Sequence, residues 1–334
     1  MPEITVIIPT LNRADYLKTA LESLREQTLS NSHFEVIVVD NGSQDNTLEV
    51  TEHFIRNNNI NLRYVLEKNY GLHNGRHRGA VEAKSEILSY IDDDVIVTKA
   101  WLQSIKEAFS DGDVSLVGGK ILPHWEGDIP HWLNSFKYDV DGGWAIGYLS
   151  LLDLGDRVKR IPAHYVYGCN FSIRKSILYE CGGFNPDGMP QELIKYRGNG
   201  ESALSEQIMN KNNISLYVPS AAVFHRIPEM RLTIEYFCRR AYNQGISDSF
   251  SEIRKAGALT KQEKENRDSS SFINRLKQLL TFSPVFSEEA EIEKNNIQKQ
   301  VREAYQKGKA YHRSQVEKDP HLLKYVLKDN YFKD

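Results

Sequence analysis

The sequence predicts an α/β fold: a mostly parallel central sheet with helices on both faces, followed by appended C-terminal helices. Three observations carry this. Continuous β-branched runs such as ITVIIPT (4–10) and FEVIVVD (34–40) have the pattern of strands buried on both faces. ADYLKTALESLREQT (14–28), between them, puts Leu17, Ala20, Leu21 and Leu24 on one helical face. Strand and helix then alternate through the first 120 residues, which implies right-handed crossovers between neighbouring parallel strands.

The remaining elements follow in order. DNTLEVTEHFIRNN (45–58) reads as a helix that Asp45 is placed to cap. LRYVLE (62–67) is a third strand, residues 74–83 a third helix, and EILSYID (86–92) a fourth strand. Thr98 stands where a cap for the helix AWLQSIKEAF (100–109) belongs, and VSLVGGKIL (114–122) closes the series as one strand. Residues 123–160, rich in aromatics and glycines without a sustained period, read as a long functional loop. YVYGCNFSIRK (165–175) reads as a strand, and KSILYECGGF (175–184) as a short helix stopped by Gly182 and Gly183. SALSEQIMNKN (202–212) reads as a helix, and ISLYVPSAAVFH (214–225) as one edge strand interrupted by Pro219. From about Arg231 the chain turns helical and polar, with a flexible stretch expected at 261–271. FINRLKQLLTF (272–282) carries an apolar stripe, read first as a face docked on the protein itself and second as a peripheral contact with a membrane surface.

The totals exclude some functions. A net charge of -3 over 334 residues gives no basic footprint, so no nucleic-acid partner is expected. Cys169, Cys181 and Cys238 are an odd count without metal-ligand spacing, which suits a reducing compartment. No run approaches the roughly 18 apolar residues of a membrane span, and the N-terminus lacks the pattern of a signal peptide. The expectation is a cytoplasmic protein, soluble or peripheral at the inner face of the membrane.

Polar residues gather where the strands end: Thr10 to Arg13, Asp40 to Ser43, and Asp92, Asp93 and Asp94 in SYIDDDVIV (89–97). In open α/β sheets ligands sit in the crevice at the carboxyl ends of the strands, so these clusters should line one crevice. In an extended segment Asp92 and Asp94 would face one way and Asp93 the other. Paired carboxylates make half of a hard-cation site, open to substrate oxygens; a solvated acidic turn is the plainer alternative. Asp40 reads either as a cap of its turn or as a hydrogen-bond partner of a nucleotide. NYGLHNGRHRGA (69–80) spaces Gly71, Gly75 and Gly79 four apart around Arg76 and Arg78, either for close packing or for phosphates at a helix start. It has neither the dinucleotide-binding nor the P-loop pattern.

With these motifs quoted, the chain resembles the family 2 glycosyltransferases of the glycosyltransferase-A fold. IPTLNR (8–13), VVDNGSQDNT (38–47), NYGLHNGRHRG (69–79) and YIDDDV (90–95) carry the resemblance, which YGCNFSIRK, CGGFNPD and GNGESALSEQIMNKNNISLYVPSAAVFHR extend to residues 3–245. It implies an inverting transfer from a nucleotide-diphosphate sugar, a UDP-sugar first among the candidates, with Mg²⁺ or Mn²⁺, to a hydroxyl of a glycan or lipid-linked acceptor. Carried over residue by residue, Pro9, Thr10, Arg13, Asp40, Gly71, Arg76, Asp92 and Asp93 would bind the donor. Asp94 and His225 would hold the metal. The family's Glu-Asp pair is Glu201-Ser202 here, so the general base is expected at Glu201, with Asp187 or Glu192 as alternatives.

The resemblance divides the chain into a catalytic domain, 1–245, and a helical extension, 246–334. Within the first, 1–120 would bind the nucleotide sugar and 121–245 the acceptor. Ser202 keeps a second reading open, a catalytically impaired glycan-binding or scaffold subunit. A sugar nucleotidyltransferase, which needs a glycine-rich basic loop after the first strand, fits IPTLNRADYL less well.

Overall fold

The β-branched runs do form strands, and they divide between two sheets in the computed structural model, which describes residues 2–57, 60–257 and 288–332. The strands are β1 (Ile4–Thr10), β2 (Phe34–Asp40), β3 (Leu62–Leu66), β4 (Ile87–Tyr90), β5 (Val95–Val97), β6 (Val114–Gly118), β7 (Ile121–Trp125), β8 (Tyr138–Val140), β9 (Gly143–Ile146), β10 (Leu151–Asp153), β11 (Lys159–Arg160), β12 (Phe171–Arg174), β13 (Ile214–Tyr217) and β14 (Val223–Ile227). The helices are α1 (Ala14–Arg25), α2 (Thr47–Asn57), α3 (Leu72–Glu82), α4 (Trp101–Ala108), α5 (Lys175–Glu180), α6 (Glu201–Asn210), α7 (Ile234–Ala256), α8 (Glu288–Lys318) and α9 (Pro320–Val326). The stretches 261–271 and 272–282 lie outside the described residues.

The larger sheet runs β11-β13-β6-β12-β4-β1-β2-β3, with β1, β2, β3 and β4 parallel and β12 antiparallel to both its neighbours. Every residue of β1 and β2 is buried, as expected for strands covered on both faces. The smaller sheet runs β5-β14-β7-β10-β9-β8.

This second sheet corrects several expectations. The run 114–122 is two strands in different sheets, and so is 214–225. The first break falls at Gly119, where an added Cβ would lie 2.0 Å from the Ala221 carbonyl oxygen. The second falls between β13 and β14, neither of which is an edge strand. Residues 123–160 hold an antiparallel meander, β8-β9-β10, whose three- and four-residue strands are too short to show a period. Thr98 does not cap α4; its hydroxyl donates to the Ser220 carbonyl. Asp45 accepts the Thr47 N–H at the start of α2 and also the Ala14 N–H at the start of α1, so it ties two helix starts together.

The packing of α3 positions the site. A Cβ on Gly79 would fall 2.3 Å from Ile7 Cγ2, and one on Gly75 would fall 2.6 Å from Asn41 Oδ1 and 3.1 Å from Pro9 Cβ. The two glycines therefore let α3 lie tight against the Ile7 and Pro9 side chains of β1 and that of Asn41, just after β2. Gly71, at φ 115°, starts the helix in a conformation that favours glycine. At the other end of the chain, α7 and α8 pack together through glycines: a Cβ on Gly245 would lie 2.1 Å from the Tyr305 carbonyl oxygen, and one on Gly308 2.0 Å from that of Tyr242. Ile297, Val301 and Tyr305 of α8 join the main hydrophobic core.

Candidate functional site

The parallel strands end together, so their terminal side chains meet. Thr10 pairs in register with Asp40, and its hydroxyl donates to Asp93 Oδ2 at 2.7 Å. Asp40 is 2% exposed: Oδ1 accepts the Gly42 and Ser43 N–H groups, and Oδ2 accepts the Tyr64 hydroxyl at 2.7 Å. Burial, with the Asp40 carboxylate beside it, pushes the Tyr64 phenol up from its ordinary value. Tyr64 was not singled out in the sequence, because an aromatic in a strand reads as packing.

The acidic triplet is a turn between β4 and β5, not an extended segment, so its side chains do not alternate as expected. Asp93 and Asp94 are buried on one side and share Arg13, at 3.3 Å from Arg13 Nε and 2.8 Å from Nη2 respectively. Asp92 is partly exposed and meets Arg76 Nη2 at 3.4 Å. Arg13 also lies over the Tyr16 ring, 4.5 Å from its centre.

The two buried carboxyls differ. Burial, reinforced by the Asp94 charge, pushes Asp93 up against the pull of Arg13. Burial also works to raise Asp94, but the guanidiniums of Arg231 and Arg13 outweigh it and hold this carboxyl well below the usual carboxylate range. Arg231 was not singled out either. It sits in the short 3-10 turn Glu229–Arg231 after β14, and no periodicity marks it.

His225 is brought to Asp94 because β14 pairs with β5, the strand that continues from the triplet. Its Nδ1 lies 2.9 Å from the Leu149 carbonyl oxygen, to which Nδ1–H donates; Nε2 then keeps its lone pair and accepts from Arg231 Nη1 at 2.9 Å. That Nε2 is 3.4 Å from Asp94 Oδ1, a buried oxygen without a hydrogen-bond partner among the described residues. Two acceptor atoms this close suit a cation beside them, and a ring held by its other nitrogen on a backbone carbonyl is the usual setting of a histidine ligand. Among the described residues no group of three or more His, Cys, Asp or Glu side chains gathers to hold a metal ion. Asp94 and His225 could supply two positions and leave the others to ligand oxygens and water, as suits Mg²⁺ or Mn²⁺ beside a diphosphate.

Glu201 opens α6 after Gly200, which has φ 51°; a Cβ there would meet Asp187 Oδ2 at 2.8 Å. Its carboxylate lies 3.5 Å from Arg76 Nη1 and accepts the Gly168 N–H at 3.4 Å. Arg76 is buried and spans Asp92 and Glu201, so it links the strand-end crevice to the start of α6. Gly168 leaves room for it, since a Cβ there would fall 2.4 Å from Arg76 Nη2. The alternatives to Glu201 differ in setting. Asp187 is partly buried and paired with Arg197 at 2.7 Å; burial opposes its ionisation, yet Arg197 and the Gly188 N–H hold its carboxyl low. Glu192 is exposed on another turn, and Ser202 is exposed.

The aromatic segment is largely packed rather than presented. Trp132 and Phe136 stand against Phe237 of α7, with ring centres 5.0 and 4.7 Å away, and Lys137 covers the Trp144 ring.

A family model described as glycosyl transferase family 2 matches residues 5–182, more than half of the chain. The protein belongs to glycosyl transferase family 2. This family 2 chain is 28% identical over 195 residues to the glycosyltransferase AglE of Haloferax volcanii, covering 58% of each chain. It is 22% identical over 249 residues to the glucosyl-dolichyl phosphate glucuronosyltransferase of the same organism, covering 73% of this chain and 76% of that one. The chain thus spans less than two thirds of AglE. Its fold is similar to that of the mannosyltransferase PcManGT from Pyrobaculum calidifontis, solved in complex with GDP-Man and Mn²⁺. There the TM-score is 0.55 at 15% identity, over 100% of this chain and 88% of that one. The family 2 assignment and the glycosyltransferase-A-like α/β fold agree with what the sequence motifs imply. No helix among the described residues is long and apolar enough to cross a membrane.

Proposed function

We propose that this chain transfers a sugar, with inversion, from a nucleotide-diphosphate donor to a hydroxyl of a lipid-linked or other glycan acceptor, with a divalent cation. The observation that carries this reading is the unpartnered, buried Asp94 Oδ1 facing His225 Nε2 at the strand ends, beside Asp40 and Thr10. Among the described residues Oδ1 has no hydrogen-bond partner, and the cation that serves the pair here is the Arg231 guanidinium. The name of the Haloferax volcanii glucuronosyltransferase, which includes a dolichyl phosphate, supports a lipid-linked acceptor.

In this mechanism Asp40, braced by Tyr64, accepts an N–H of the base, while Thr10, Arg13, Asp92 and Asp93 border the rest of the nucleotide. Pro9 and Gly71 shape the walls, one beneath α3 and the other at its start. Asp94 and His225 would hold Mg²⁺ or Mn²⁺, which supplies charge stabilisation for the departing diphosphate. Arg76 orients Asp92 and Glu201. Glu201 takes the acceptor hydroxyl proton as that oxygen bonds the anomeric carbon, opposite the breaking bond to the diphosphate.

The test is transfer and donor hydrolysis with a panel of nucleotide sugars, run with Mn²⁺ and with chelator. Turnover that requires the cation and yields the inverted anomer supports the reading. Glycan binding without turnover of any donor would favour the scaffold alternative that Ser202 raises.

A further inference from the structure

Two guanidinium groups touch Asp94, and they are held differently. Arg13 is anchored three times, by Asp94, by Asp93 and by the Tyr16 ring. The Arg231 side chain forms its hydrogen bonds, among the described residues, to only two groups: Asp94 Oδ2 at 2.6 Å through Nη2, and His225 Nε2 at 2.9 Å through Nη1. Those are the two residues proposed above to hold the cation. One planar fork therefore bridges both ligand groups, a geometry that the single point charge of a lysine cannot reproduce. Its turn, Glu229–Arg231, stands at the edge of the crevice beside Met230, which is 66% exposed.

Charge balance says what such a bridge does. With Arg13 and Arg231 against Asp93 and Asp94, the buried cluster is already close to neutral. A divalent cation arriving alone would add uncompensated charge beside a guanidinium at short range, where repulsion is strong. A cation arriving with a diphosphate brings its own counter-charge and offers Arg231 new oxygen acceptors in bidentate geometry.

We infer that Arg231 is a stand-in cation: in the ligand-free protein it bridges Asp94 and His225, and it passes to the donor diphosphate when the metal–nucleotide complex enters. Free metal is thereby kept out until the nucleotide comes with it. This rests on the proposed cation site at Asp94 and His225.

The experiment measures Mn²⁺ affinity from the spin-resonance signal of free Mn²⁺, on the full chain and on Arg231→Met and Arg231→Lys, each with and without uridine diphosphate. Melting curves establish that each variant is folded. Wild type is expected to take up Mn²⁺ alone weakly and with uridine diphosphate at least about tenfold more tightly, the scale of one charge-assisted hydrogen bond. Arg231→Met should bind Mn²⁺ alone about tenfold more tightly than wild type and uridine diphosphate about tenfold less tightly. Arg231→Lys should fall between them in both measurements. A folded Arg231→Met, or Arg231→Lys if the former does not fold, with wild-type or weaker affinity for Mn²⁺ alone overturns the stand-in role while leaving the cation site intact. No Mn²⁺ uptake by wild type even with uridine diphosphate overturns the cation site and this role with it.

Discussion

The two flanks of the crevice handle buried titratable groups in opposite ways. At the β4–β5 turn, Asp94 is held charged by two arginines and keeps one oxygen without a hydrogen-bond partner among the described residues. On α3, His73 and His77 are buried and held uncharged: burial lowers them to about 4 and about 3. Each accepts a backbone N–H from the 184–187 segment, His77 Nε2 from Phe184 at 2.9 Å and His73 Nδ1 from Asp187 at 3.4 Å. The C-terminal tail closes over them, with Phe332 stacked on His77 at 4.0 Å and Tyr331 edge-on to His73 at 6.4 Å. The first flank keeps its charges exchangeable, which suits a ligand that must enter and leave. The second anchors each histidine ring through one accepted backbone N–H and braces the helix that carries Arg76. One flank is charged and open to exchange; the other is neutral and packed.

The largest expected effect breaks the first flank. Asp94→Asn should lower transfer by about a thousandfold or more, the scale of losing transition-state charge stabilisation, while leaving the melting curve cooperative. A transfer assay with the purified variant checks it, and wild-type turnover would remove the cation from the account. Next, Glu201→Gln should lower transfer by about a hundredfold to ten-thousandfold with nucleotide affinity unchanged, as measured by calorimetry beside the rate. Full activity would move the proton acceptor elsewhere.

The second flank predicts acid sensitivity. His73 and His77 on this flank, and His312 on α8 beside Ser249, have folded values below the ordinary 6.5 because burial disfavours their charged form. Between 6.5 and about 4 the unfolded chain binds more protons than the folded one. The stability these histidines contribute is therefore complete above 6.5 and is lost as pH falls towards 4. The slope should be on the order of 1 kcal/mol per pH unit for each histidine, read from urea unfolding between pH 7 and pH 5. Stability that is flat across that window would contradict the uncharged flank. The smallest effect is that of Phe332→Ala, which removes the rings' stacking on His77 and Tyr179 and should cost about 1 kcal/mol. A shallower acid response in that variant would sharpen the link between tail and histidines.

The two flanks were also unequally legible in the sequence. Strands β1 to β4 and the strand-end clusters could be read because local pattern dictates them: buried β-branched runs and polar residues where each run stops. The triplet's turn could not, since a sheet change after Tyr90 depends on β5 finding β14, more than a hundred residues away. The same long-range pairing split 114–122 and 214–225, although Gly119 and Pro219 marked the breaks. Arg231, with two side-chain hydrogen bonds, and Tyr64, with one to Asp40, leave no periodic trace. The closure of the tail over α3 depends on ring contacts with His73, His77 and Tyr179, far away in the sequence, and Tyr331 and Phe332 stand in an otherwise polar stretch.

The central claim is that Asp94 and His225 hold a divalent cation together with a diphosphate. Titrating uridine diphosphate calorimetrically into wild type and Asp94→Asn, each with Mn²⁺ and with chelator, tests it most directly. The account predicts that Mn²⁺ strengthens binding at least about tenfold in wild type and not in the variant. Equal affinity with Mn²⁺ and with chelator in wild type would contradict it.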